Sequence, residues 1–362
     1  MISRLKMRFA FLLLLGCAVL FLTFPGICAQ GFSAGIELCA GSLLPALFPF
    51  FVVSNLILES DEANFFAFPL KFICKACRLN SKKAALLLLL GWLGGYTALA
   101  ASLAACRARG EISAREASLL LPIGAVCSPG FSAAVGSFML GRSELGLVLY
   151  ASCLLAGIAC GIVAGFAAWP QLSMKSEYTV KQNNFSHSKK GLSYAISSAV
   201  QSSLQVCGSV IFFRMLLGFG SVLKLSLLMQ AALAGLLEVS SGCRAWALLS
   251  GNMVLIGCCG CMSILSLSVW CQIKALSQGY YSLLPLALTR PLHLALSLLF
   301  MKGLLYFVPG NLPALHTMAE PVIIRNRLPG DRALLLFVFC CLVLNFLEKA
   351  SLYRKVKTNY NK

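Results

Sequence analysis

The chain has 362 residues, of which 59% are hydrophobic and only 12% charged, and its formal net charge is +18. A soluble domain carries about twice that share of charge, and no alternating barrel pattern runs through the apolar segments. The composition therefore excludes both classes and specifies a polytopic helical membrane protein. Most Lys and Arg lie in short links beside apolar runs, the positive-inside pattern, so they are topology signals and lipid contacts rather than a nucleic-acid site.

Residues 1–30 form the first predicted transmembrane helix, with Arg4, Lys6 and Arg8 ahead of an apolar run. Read as a signal peptide, the segment offers only Ile27-Cys28-Ala29 as a poor cleavage site, so an uncleaved span with a cytoplasmic N-terminus is expected. Residues 31–58 then join a stretch rich in Gly, Ser and Ala, placed in or on the outer leaflet, to an apolar run that contains Pro45 and Pro49 and returns inside. Residues 59–83 are a link whose bases Lys71, Lys75, Arg78, Lys82 and Lys83 place it in the cytoplasm.

The run 84–105 is interrupted by Gly91, Gly94 and Gly95 and followed by Arg107, Arg109 and Arg115. A simple span would put those arginines outside. A re-entrant hairpin turning at Gly94-Gly95 returns them inside, in agreement with the charge rule. Residues 112–140 are broken by Cys127-Ser128-Pro129-Gly130, which frees backbone groups that only protein or a wet cavity can satisfy at depth. Residues 145–169 return to a cytoplasmic loop, 170–190.

The second half follows the same order. Residues 204–219 exit. Residues 223–243, containing Gly235, Glu238 and Gly242, parallel the first hairpin. Residues 246–272 return, 283–307 exit, 309–332 form an outer loop, and 333–362 hold the last transmembrane helix and a basic tail. This topology places 21 of the 30 Lys and Arg inside and seven outside. A weak copy of 31–58 begins 160 residues later, at 191, with Gly31/Gly191, Ser33/Ser193, Ile36/Ile196, Ser42/Ser202, Leu44/Leu204 and Leu56/Leu216 identical. The expected fold is all-α, with eight spans and two re-entrant hairpins in two inverted repeats, 31–169 and 191–308. In transporters built this way the binding site lies at the midplane between broken helices.

Glu238 is the only acid inside an apolar run of the second half. A carboxylate at membrane depth demands a partner, water or a function. It is either a ligand for an ion or solute at a hairpin tip, or a cap or ion pair, with Arg214 or Arg290 as the partner. Arg290 and His293, three apart, share a helical face. They either hold an anionic group or serve as structural partners, and a lone His in an apolar run is more often a packed, hydrogen-bonded one. Tyr96, Thr97 and Ser128 are hydroxyls at the breaks of the first half, suited to polar solute or to satisfying broken-helix backbone. Most of the 17 cysteines lie in apolar runs as small hydrophobes. The Cys74/Cys77 pair and the Cys258-Cys259-x-Cys261 cluster are weak metal or redox signals, and the histidines are too scattered for a metal site. No catalytic motif appears, so neither enzyme activity nor a cofactor is expected.

The segment Leu44-Pro45-Ala46-Leu47-Phe48-Pro49-Phe50-Phe51, followed by Val52-Val53-Ser54-Asn55, resembles the Pro-Ala-Leu-x-Pro-Phe-Phe segment of the YlbJ-type sporulation integral membrane proteins, members of the nucleoside-recognition, or Gate-domain, group. Gly95-Tyr96 resembles that family's Gly-Tyr-Pro turn, with Thr97 where proline is usual. Ser128-Pro129 and Phe131 resemble its Ser-Pro-x-Phe break. Glu238-Val239-Ser240-Ser241-Gly242 resembles its Glu-Val/Ile-Thr/Ser-x-Gly element, and Arg290, His293 and Ser297 its late Arg-x-x-His helix. The resemblance implies an inner-membrane protein needed for spore formation, and the charge rule places both termini in the cytoplasm. The resemblance names no transported molecule; the inverted-repeat, transporter-like architecture leads to the expectation that a small polar solute is moved, with or without a coupling cation, by a monomer or homo-oligomer. A non-transporting assembly factor for the spore envelope is the alternative. The combined candidate site is Tyr96, Thr97, Ser128, Glu238, Ser240, Ser241, Arg290 and His293.

Overall fold

A computed structural model describes residues 2–60, 63–167, 191–221, 225–249, 251 and 253–308. The expected loop 170–190, outer loop 309–332 and last helix and tail 333–362 lie outside the described residues. Those described are helical without any strand. Seven of their segments are long and apolar enough to cross a membrane, which makes this a multi-pass membrane protein.

Helix α1 spans Ile2–Thr23 and α2 spans Pro25–Leu38. The first helix therefore ends seven residues before the expected Gln30. Phe24 precedes a proline, which disfavours helical backbone there, and it sits at φ −124° and ψ 60°. The expected division between a small-residue helix and an apolar helix is absent. A π turn, Cys39–Leu43, joins α2 to α3, Leu44–Leu58, in one helical run of 34 residues. Pro45 cannot donate to the carbonyl four residues back and its ring crowds that turn. The wider turn, in which Leu44 N–H donates to Cys39 C=O, makes room for it.

Two short helices, α4 (Ala63–Phe66) and α5 (Lys71–Ala76), fill the link to α6, Ala84–Ala108. Helix α6 folds back on itself. Gly95 has φ 83° and ψ −177°, outside helical space. A Cβ on Gly91 would sit only 3.0 Å from that of Leu99, although eight residues separate them. The ends of the segment meet as well. Ser81 Oγ donates to Glu111 C=O at 3.2 Å, and Asn80 and Ser81 N–H donate to Glu116 Oε1 at 2.7 and 2.8 Å. The two ends of this folded-back segment therefore lie side by side.

Helix α7 (Ala114–Gly124) crosses inward to an extended stretch, 125–128, and α8 (Pro129–Ala134) continues through a π turn, Val135–Met139. Helix α9, Ser143–Phe166, returns alongside it: Gly146 lies against Ser132 and Gly136, Gly157 against Ile123, and Gly165 against Cys77.

Helix α10, Leu192–Gly218, runs antiparallel to α2–α3. Gly31 abuts Met215, Gly35 abuts Ile211, Cys39 Sγ donates to Cys207 C=O at 3.8 Å, and Asn55 Nδ2 donates to Ala195 C=O at 3.5 Å. The small residues of 31–35 thus let two backbones approach closely. The second hairpin consists of α11 (Leu227–Leu237) and α12 (Val239–Ala247), with Glu238 at the turn and Gly235 against Gly242.

The expected return span 246–272 is corrected in two ways. Trp246 belongs to α12, its ring lying over Gly257. The return itself is broken into α13 (Met253–Ile264) and α14 (Leu267–Ser277). Leu265 adopts φ 65° between them, and Ser266 Oγ caps α14 by accepting from Val269 N–H at 3.4 Å. Helix α15, Leu284–Leu305, packs on α9.

At the end of the first hairpin opposite its tip, Arg109 holds Glu111 through Nε and Nη2 at 2.9 and 3.0 Å. Burial pushes the Glu111 carboxyl up, but hydrogen bonds from Arg109 and Cys106 and the nearby charges of Arg109 and Lys83 outweigh it, and the net shift is downward. A lowered folded pKa contributes stability above the unfolded value of about 4.3, lost as pH falls through the folded value. The pair is about a third exposed, so its contribution is about 1 kcal/mol or less. Glu111→Gln should accordingly lower the melting temperature in detergent at neutral pH and leave it unchanged at strongly acid pH. Gly95→Ala should cost about 1–3 kcal/mol, because φ 83° is strained for any side chain and its Cβ would press on Ser128 N at 3.1 Å. Gly208→Ala, which meets nothing within 4 Å, should leave the melting temperature in place.

Candidate functional site

The two hairpin tips and the first helix break converge. Gly95, at the first tip, lies against Ser128 N and Val126 C=O of the 125–128 stretch. Its neighbour Tyr96, half-buried, is within electrostatic range of Glu238 at the second tip and of Cys127 and Cys243. Glu238 is also in range of Cys39 on the α2–α3 π turn and of Arg214 on α10. Residues of α6, the α2–α3 π turn and α10 thus lie within electrostatic range of one carboxylate.

Glu238 is only 3% exposed, and its partners are local. It is the cap of α12, in extended backbone at φ −148° and ψ 127°. Its oxygens accept from Ser240 N–H at 2.9 Å, Ser241 N–H at 2.7 Å, and both serine hydroxyls at 2.6 Å. These four donors explain how a carboxylate is kept at depth. Neither Arg214 nor Arg290 lies within ion-pair distance of it, so of the two structural alternatives, cap or ion pair, the cap is the one formed. Ser240 and Ser241 act as donors to the carboxylate in this arrangement.

Arg290 does something the sequence did not reveal. Its Nη1 donates to Ala125 C=O and Ser263 C=O, each at 3.3 Å, and its Nη2 to Pro122 C=O at 3.4 Å. Pro122 and Ala125 end α7, and Ser263 lies in the last turn of α13. One guanidinium therefore serves carbonyls freed at both broken spans, at the ends where helix dipoles favour a cation. Its buried Nε has no hydrogen-bond partner.

His293 is fully buried between two groups. Its Nε2 faces Cys153 C=O at 3.1 Å and its Nδ1 faces Ser297 Oγ at 3.3 Å. A carbonyl only accepts, so Nε2 carries the proton and the Ser297 hydroxyl donates to Nδ1, which fits a neutral imidazole. Ser128 caps α8, its Oγ accepting from Phe131 N–H at 3.3 Å. Thr97 is buried on the second arm of the first hairpin.

Three braces were not singled out from the sequence. Trp92 Nε1 donates to Ile123 C=O at 3.3 Å, Tyr150 OH to Trp92 C=O at 2.7 Å, and Tyr281 OH to Ala100 C=O at 2.9 Å. They bind the first hairpin to α7, α9 and the turn before α15. The only signal available was an aromatic with a polar tip inside an apolar run. Gln272 on α14 was missed as well: it is buried, its Nε2 donates to Ser268 Oγ at 3.0 Å, and its Oε1 has no partner. Among the described residues no group of three His, Cys, Asp or Glu is arranged to hold a metal ion. A notch of about 660 Å³ opens far from the tips, between Asn80–Lys82 and the 107–116 turn.

No protein-family profile, no curated protein and no solved structure matches the chain.

Arg290→Gln should lower stability by on the order of 3 kcal/mol, since it leaves buried carbonyls of both breaks without a charged donor. Arg290→Lys should recover part of that loss. Glu238→Gln should cost about 1–3 kcal/mol, because an amide presents donors to the Ser240 and Ser241 N–H groups. With no ion pair between them, the Glu238→Gln/Arg290→Gln double variant should melt at the sum of the two losses, within about 0.5 kcal/mol. Thermal melts of the four proteins in one detergent check both statements.

Proposed function

We propose that this protein moves a small polar solute across a membrane of a sporulating bacterium, through two inverted repeats whose hairpin tips and helix breaks form the solute site. The observation that carries the reading is the meeting of non-helical backbone from both halves at one place inside the helical mass. Such backbone is tolerated at membrane depth only where protein or a solute path satisfies it, and in transporters it marks the site.

The order of elements supports the repeat. Each half runs long helix, hairpin, broken span, long helix: α2–α3, α6, α7–α8, α9, then α10, α11–α12, α13–α14, α15. The tips are Gly95 and Glu238, and the broken spans resume at capping serines, Ser128 and Ser266. The long helices pair across the halves, α2–α3 with α10 and α9 with α15. The charge rule orients the N-terminus and the 59–83 link toward the cytoplasm. The resemblance of 44–55, 95–96, 128–131, 238–242 and 290–297 to YlbJ-type sporulation proteins supplies the physiological setting.

A second reading, a non-transporting factor for spore-envelope assembly, is favoured by one observation. Glu238, Arg290, His293 and Ser128 each have protein partners, as residues of a purely structural core would.

The test pairs two assays on the same variants. Purified protein in proteoliposomes is screened for uptake of nucleosides, sugars and amino acids, and the variants are scored for complementation of a sporulation defect. Under the transport reading Tyr96→Phe and Ser240→Ala, expressed at wild-type levels, should reduce uptake and complementation together by tenfold or more. Full complementation without measurable uptake by the wild type would favour the assembly reading.

A further inference from the structure

The 59–83 link has an amphipathic structure independent of the hairpin site. Its inner face packs down: Ala63, Ala67, Cys74, Cys77 and Leu79 are buried, and the backbone of Cys77 lies against Gly165 near the end of α9. Its outer face carries Phe66, Phe68 and Phe72 at 74%, 66% and 80% exposure. Lys71 Nζ stands 5.3 Å over the Phe68 ring, and the Arg78 guanidinium lies 4.0 Å over Phe166. From residue 63 to 83 the link has five bases and no acid.

The level of this link is set by its ends. It leaves the last turn of α3 and enters the first turn of α6, and Lys83 Nζ donates to Leu58 C=O at 2.9 Å, which ties those two turns together. The Arg78 backbone, at φ 58°, closes α5 with Leu79 N–H donating to Cys74 C=O at 2.9 Å, so the short helix has a built end. Phenylalanines beside lysines, at the mouth of two membrane helices, match the chemistry of the boundary between headgroups and acyl chains. The neighbouring notch is lined by Lys82, Arg107 and Arg115 together with Glu111 and Glu116, so the excess of bases lies in the link itself, and cytoplasmic leaflets carry anionic headgroups that attract such a surface.

We propose that α4–α5 is an interfacial anchor that lies along the cytoplasmic leaflet, with Phe66, Phe68 and Phe72 at the acyl boundary and Lys71, Lys75 and Arg78 on anionic phospholipid headgroups. The anchor holds the start of the first hairpin at a fixed depth, because the link runs straight into α6. It does not depend on which solute, if any, the protein carries.

The test places the photo-cross-linker p-benzoylphenylalanine at Phe72 in the full chain, with Phe68 as a second site, both exposed enough to accept it. The protein is reconstituted in vesicles of phosphatidylcholine and phosphatidylglycerol at three to one, irradiated and analysed by mass spectrometry. Phospholipid adducts are expected at both positions, with phosphatidylglycerol at least threefold over its share of the bilayer. Lys71→Gln/Lys75→Gln should keep the lipid adducts and reduce that enrichment toward onefold. Adducts to a second copy of the chain, absence of lipid adducts, or lipid adducts indifferent to headgroup charge would each overturn the proposal.

Discussion

The constraint on which this architecture depends is that a backbone polar group inside a bilayer must find a partner within the protein. Four interruptions strain that rule: Gly95, the 125–128 stretch, Glu238 and Leu265-Ser266. Three of them are met by side chains. Ser128 and Ser266 cap the helices that restart, Glu238 caps α12, and Arg290 reaches carbonyls of both broken spans from a third helix. Arg290 is the costliest of these, since it is a cation taken out of water, and only carbonyls and helix dipoles oppose its charge. That cost makes sense if one side chain must hold two breaks from opposite halves of the chain in register.

The second requirement is close approach. Helices in lipid gain nothing from exchanging one apolar surface for another, so they associate by packing. Gly31 and Gly35 bring α2 onto α10, and Gly146, Gly157 and Gly165 bring α9 onto α8, α7 and the link. Of the small residues in 31–42, conspicuous in the sequence, Gly31 and Gly35 thus form the packing surface, while Ser33, Ala34, Ala40, Gly41 and Ser42 face outward on the same long helix.

What was legible in the sequence follows from which physical demands leave a residue-type mark. A positive φ at a sharp turn demands glycine, so the Gly94-Gly95 hairpin was legible, and Ser-Pro-Gly marks a helix restart as clearly. Leu265 leaves no mark, because nothing in a leucine announces left-handed backbone, so the second broken span looked continuous. The π turn is equally silent: Pro45 signals disturbance, but a break and a widened turn are the same sequence. Glu238 was identifiable as an isolated acid, but a cap and an ion pair are equally compatible with the sequence, and only the structure shows that the next two serines are its partners. Arg290 was identifiable for the same reason, and its partners are carbonyls, which every residue has and no sequence distinguishes.

The two hairpins differ in how their polar groups are satisfied, and this bears on movement. The first is bonded outward: Trp92 to Ile123, Tyr150 to Trp92, Tyr281 to Ala100, and Glu116 to the backbone at 80–81. Displacing it would break several hydrogen bonds at once, and leaving the buried Tyr281 hydroxyl without its partner alone costs about 1–3 kcal/mol. The tip of the second is bonded inward, all four hydrogen bonds of Glu238 lying within residues 238–241. Its carboxylate would keep every donor through a rigid displacement of α11–α12. A carboxylate held instead by Arg290 would have fixed that tip to α15. The local cap is thus the arrangement that leaves a buried charge free to travel with the element that carries it.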